Sequence, residues 1–171
     1  MVTQNPNLMS REAMQAMTNT SGSGEELLSE ILQKVNNAKD KPKKIAVLRE
    51  NDSPSLRSII KGAFDPNIKW ALPTGTPPYI ANEAPKGTEH SLLKNESKRL
   101  WHFVEGADND TTKTQKETMF IQMLEGLHKE EAELLINVKD KKLNKVYKGL
   151  TEAAVKEAFG WDDNFMQIEN N

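Results

Sequence analysis

Prolines decide more about this chain than any other residue type. In the segment 65–90, DPNIKWALPTGTPPYIANEAPKGTEH, Pro66, Pro73, Pro77, Pro78 and Pro85 exclude helix. Each lacks a backbone N–H, and its ring clashes with the preceding turn. Yet Ile68, Trp70, Leu72, Tyr79 and Ile80 are too many apolar side chains for a freely solvated loop. The first three alternate, as one side of an extended strip does. The segment is therefore expected to lie across neighbouring helices. An irregular stretch this long inside a compact domain is usually functional or a linker, which makes it the main interaction candidate.

Helical periodicity surrounds it. Leu27, Leu28, Ile31, Leu32 and Val35 form one stripe, ended by Asn36 and Asn37. The run Lys39–Lys44 reads as a charged connector, and Ile45–Leu48 fits either a short strand or the last turns of a helix. Ser53 is an N-cap ahead of Pro54, Leu56, Ile59, Ile60, Ala63 and Phe64 line one face, and Asp65-Pro66 stops that helix. Ser91 to Val104 is expected as a further helix ended by Gly106. Next, Thr111 or Thr112 caps a helix carrying Phe120, Met123, Leu124 and Leu127. After a tight turn near Gly126, a second helix from His128 or Lys129 brings Leu134, Leu135 and Val138 against it. Thr151 caps a last short helix ended by Gly160.

The expected fold is mainly α, a small domain of about five to six helices. Residues 1–24 form a flexible N-terminal segment, 25–160 a single helical domain containing the strip at 65–90, and 161–171 a frayed C-terminal tail. At 171 residues the chain is long enough for a real core, but 36% apolar against 28% charged leaves part of it outside. A net charge of −2 argues against wholesale binding to nucleic acid or membrane while permitting a local patch. No cysteine is present, so disulfide and thiolate chemistry are excluded. No apolar run approaches the roughly 20 residues of a membrane helix, and the first residues lack a secretion pattern. A soluble, intracellular protein is the expectation.

No pattern of catalytic chemistry stands out. His90, His102 and His128 never pair at helical metal-ligand spacing. The acidic run at Asp108 would resemble a calcium loop, but Lys113 stands where the loop needs glycine and Met119 where it needs glutamate. Glu130, Glu131 and Glu133 at a helix start are favourable charges on its dipole. No phosphate loop or nucleophile elbow is present. No catalytic residue, metal or cofactor is therefore assigned. The strongest charge feature is KDKKLNKVYK, where Lys139, Lys141, Lys142, Lys145 and Lys148 stand against Asp140. It fits a phosphate-contacting patch or an ordinary solvated helix end. Trp70, Leu72, Tyr79, Ile80 and Trp161 are the interaction candidates, and Trp101 is a further aromatic that serves either as interface anchor or as core.

The order IKWALPTGTPPY, KNESKRLWHFVEG and ETMFIQMLEGLHKEEAELLINVKDKKLNKVYKGLTEAAVKEAF resembles a family of uncharacterised proteins from large contractile-tailed phages of marine bacteria and cyanobacteria. The likeness covers roughly residues 50–160, and KDKKL…YKGLT at 139–151 is its most specific part. It implies a viral protein made in the host cytoplasm, with virion association open, and transfers no activity. The resulting expectation is a non-catalytic protein that binds another protein, of the host, the replication machinery or the virion. The alternative is nucleic-acid binding through Lys139–Lys148.

Overall fold

A computed structural model describes residues 26–83 and 91–168. The expected lead over 1–24 lies outside the described residues, as do 84–90 of the strip and 169–171 of the tail. The helices run α1 Leu28–Asn37, α2 Lys41–Glu50, α3 Pro54–Phe64, α4 Leu93–Glu96, a 3₁₀ helix Ser97–Phe103, α5 Lys113–Gly126, α6 Lys129–Lys139, α7 Leu143–Val146 and α8 Glu152–Phe159. Six of the α-helices have eight residues or more, while α4 and α7 are single turns. The chain is mainly helical. Among the described residues there are only isolated β-bridges, Trp70 with Val104 and Trp161 with Gln167. None of the described helices is long and apolar enough to cross a membrane.

Helix α6 is the hub. Ala132, Leu134, Leu135, Ile136 and Val138 are all buried, so every side except the one carrying Glu130, Glu133 and Asn137 has to be enclosed. It packs on α1, α3, α5 and α7. His128 caps it, its Nδ1 accepting from the Glu130 N–H at 3.1 Å. Opposite lies α3, whose Leu56, Ile59 and Ile60 are fully buried, worth about 1.5–3 kcal/mol each. Its entry follows the sequence signal: Ser53 Oγ accepts from Leu56 N–H at 3.1 Å and Pro54 occupies the first turn. Thr112 and Thr151 cap α5 and α8 in the same way.

A second layer joins the two ends of the described chain. Helix α2 packs on α1 and on α8. Arg49 donates to the Ala158 and Glu157 carbonyls, both at 3.1 Å, satisfying the open end of α8. Lys44 does the same for α1, donating to Val35 and Ala38 carbonyls at 3.2 and 2.9 Å.

Three local expectations are corrected. The charged connector is instead the first turn of α2: Asp40 caps it, accepting from Lys43 N–H at 2.9 Å, with Pro42 in the first turn. That settles Ile45–Leu48 as helix. The single helix expected over 91–104 is a turn of α-helix followed by 3₁₀, which lets Val104 leave and pair with Trp70. The tail is not frayed over its described length. After Gly160, in the left-handed region at φ 67, the chain folds back so that Ile168 N–H donates to Gly160 O at 2.8 Å. Trp161 and Phe165 are thereby buried, their ring centres 6.0 Å apart. Apolar burial of two aromatics outweighs the acidic character of the segment.

Candidate interaction surface

The proline-bearing strip leaves α3 at Asp65 and does not dangle. Ala71 N–H donates to Phe103 O and Glu105 N–H to Lys69 O, both at 2.7 Å, forming the short bridge to the 3₁₀ segment. Trp70 lays its indole on α3, where Nε1–H donates to Gly62 O at 3.0 Å. A Cβ at residue 62 would stand 2.8 Å from that ring, so glycine there is a packing requirement. Leu72 and Tyr79 are half-buried against the core.

Side chains at the end of α6 clamp the middle of the strip. Lys139, only 5% exposed, donates from Nζ to Pro73 O at 2.8 Å and Gly75 O at 2.9 Å, and pairs with Asp140. Asp140 in turn accepts from Gly75 N–H at 3.0 Å. Gly75 takes φ 99, which side-chain-bearing residues rarely adopt. Lys141 donates to the Gly62 and Asp65 carbonyls at 2.7 and 2.8 Å, filling the orphan end of α3. Further along, Ile80 N–H donates to Glu125 on α5 at 2.8 Å, while the Ile80 side chain is 79% exposed.

Two site assignments therefore change. Lys139 and Lys141 point inward, because unpaired carbonyls of the strip and of α3 need donors there; only Lys142, Lys145 and Lys148 of the expected patch are exposed. Trp161, at 6% exposure, is core and no anchor. Trp70, Leu72, Tyr79 and Ile80 do share the strip.

A groove of about 350 Å³ opens beside Trp70, between α3, the strip and the 3₁₀ helix. Ile68, Trp70, Leu100, Trp101 and Val104 give it an apolar floor, with Lys61 and Lys98 at its rim. Trp101 is 50% exposed and stacks on His102, ring centres 3.8 Å apart. His102 is held by Asp108 through Nδ1 at 2.7 Å. Asp108 also accepts from the Thr111 hydroxyl and the Asp110 and Thr111 N–H groups. The hydrogen bonds from His102 and Thr111 hold the Asp108 carboxyl far below the usual carboxylate range. The acidic run at Asp108 thus orients an aromatic pair.

A wider cavity, about 540 Å³, lies between α1, α6 and α7 and is edged by Glu26, Glu30, Glu130 and Glu133. Tyr147 lines it, and its phenol is pushed up to about 12, first by burial and then by Glu130, Glu133 and Glu131. In the unfolded chain a tyrosine ionises near about 10. Between these values the folded chain holds the proton that the unfolded chain has lost, so stability falls as pH rises. Denaturant midpoints should drop from about pH 10 to about 12, and Tyr147→Phe should flatten that fall. A variant that loses stability as steeply as the unsubstituted chain would remove Tyr147 as the cause.

Sequence reasoning missed Glu131, Lys61 and Lys98. Glu131 is 1% exposed and accepts from Leu28 N–H and Leu93 N–H, each at 3.0 Å, joining the starts of α1 and α4. Among the described residues no cluster of three His, Cys, Asp or Glu side chains is placed to hold a metal ion.

Fold and surface together define a helical domain that presents one pinned, extended strip and an aromatic groove. The chain belongs to DUF6433, a family of unknown function, whose model matches residues 31–145. No curated protein and no solved structure matches it.

Proposed function

We propose that this protein is non-catalytic and works by binding another protein through the strip and the groove beside it. The setting we propose is the one its resemblance implies, a phage protein in the host cytoplasm, its partner a host, replication or virion component. The observation that carries the reading is the clamp. Lys139, Asp140 and Glu125 hold the strip in one pose while Ile80 is left 79% exposed. A preorganised apolar surface loses little freedom when a partner covers it. The buried or half-buried charged groups support the non-catalytic part, since Lys116, Glu131, Lys139 and Lys141 all bond to backbone.

The test is capture from a lysate of the infected host, comparing the unsubstituted chain with Ile80→Glu, which alters an exposed side chain. A protein retained by the first and lost by the second supports the reading. Equal retention by both, or none by either, sinks it. Nucleic-acid binding is the second reading, resting on exposed Lys142, Lys145 and Lys148; two of its five lysines are engaged elsewhere.

A further inference from the structure

We infer that the groove between α3, the strip and the 3₁₀ helix takes an acidic peptide segment carrying one aromatic or branched aliphatic side chain. The inference rests on the protein-binding reading above and gives its partner a chemistry.

Charge is the first argument. The residues lining the groove include Lys61 and Lys98 and no carboxylate. Arg57, Lys69 and Arg99 stand on the same segments. The acids that flank them are Asp65, which is buried, Glu96, which pairs with Arg99, and Glu105 after the lining Val104. This concentration sits in a chain of net charge −2. Arg57 pairs with Asp52 at 2.7 Å and Arg99 with Glu96 at 2.8 Å. Among the described residues no ion pair involves Lys61, Lys69 or Lys98. The local field therefore favours an anionic partner, and more strongly at low salt.

Preorganisation is the second. Trp70 is fixed by its bond to Gly62 O, and Trp101 by stacking on a histidine that Asp108 holds. A half-exposed tryptophan oriented in this way is the kind of side chain that dominates binding interfaces. Ile68, Leu100 and Val104 supply an apolar floor between the two rings.

Size decides between peptide and nucleic acid. At about 350 Å³ the groove lies near the lower end of ligand clefts, roughly 300–1,000 Å³. It accommodates one large side chain with its main chain. Two rim lysines match carboxylates flanking that anchor, whereas a nucleic-acid strand is held by a longer row of phosphate contacts.

The experiment reads the indole N–H signals of Trp70, Trp101 and Trp161 by NMR. The probes are the blocked peptide acetyl-Glu-Asp-Phe-Glu-Asp-amide, its Gln/Asn counterpart, and a short oligothymidylate. The acidic peptide should move the Trp101 and Trp70 signals more than that of Trp161, which is buried and touches the groove only through Lys61 over its ring. The uncharged counterpart should bind at least about tenfold more weakly, and so should the acidic peptide to Lys98→Glu, a change at an exposed side chain that leaves the melting temperature unaltered. Three results would overturn the inference: a Trp101 signal that stays put, equal binding of the uncharged peptide, or oligothymidylate saturating at lower concentration than the acidic peptide. Any of these, with Ile80-dependent capture intact, removes the peptide chemistry and keeps the binding reading.

Discussion

Glu131→Ala should lower the stability of this domain by about 4 kcal/mol, because two buried N–H groups lose their acceptor at about 1–3 kcal/mol each. Leu28 N–H opens α1 and Leu93 N–H opens α4, and both end on one carboxylate at 3.0 Å. Neither Leu27 nor Leu92, the residues in the cap positions, has a side-chain acceptor to replace it. The negative charge also faces the positive end of the ten-residue α1. Against a typical total of about 5–15 kcal/mol, the thermal midpoint should fall by roughly 10 °C. Glu131→Gln keeps the shape and one acceptor oxygen, so it should fall in between. Thermal unfolding followed by circular dichroism measures both; an unchanged midpoint for the alanine variant would show that the junction does not depend on this carboxylate.

Lys139→Met should release the strip and spare the helices. Methionine keeps most of the buried stem but removes the ammonium, leaving the Pro73 and Gly75 carbonyls without their donor and Asp140 without its cation. Breaking a buried pair in this way costs about 3–5 kcal/mol. Most of it should appear locally, since the clamp joins α6 to a segment with little regular structure. Hydrogen exchange at Gly75 and Ile80 should therefore quicken by about tenfold or more while amides in the middle of α3 and α6 keep their protection. The same variant should lose the partner that Ile80→Glu loses. Uniform loss of protection through α3 and α6 would instead make Lys139 a determinant of the whole fold.

Where the sequence was legible, the signals were local. Ser53-Pro54, Thr112 and Thr151 announce helix starts because a cap needs only its own next three residues. Asp40 with Pro42 carries the same signature, and reading it would have placed α2 four residues earlier. The strip was legible too, since proline chemistry is independent of context and its apolar side chains demanded cover. Direction within a charged run was not legible. Lys139 and Lys142 have the same chemistry, and only the position of Pro73 and Gly75, far away in the chain, turns one inward. Glu131 has the composition of an ordinary helix start, and its two partners lie 103 and 38 residues away. The turn at 161–168 is different: its rings meet Phe159 and Lys156 close by in the chain and Lys61 far away, and its acidic composition masked that packing. Lys61 and Lys98 left a weak trace, the absence of any acid along two flanking segments.

The joining of α2 to α8 has a kinetic consequence. Arg49 reaches across more than a hundred residues to the Ala158 and Glu157 carbonyls, and the Gly149 N–H returns to Asn36 at 2.7 Å. During synthesis α1 and α2 thus emerge long before α8, and the side of α2 that packs on α8 stays uncovered in the meantime. Contacts so distant in sequence slow folding, and apolar faces left waiting favour aggregation. Chains truncated before residue 152 should accordingly collect in the insoluble fraction, even though they retain the whole of the clamp and groove.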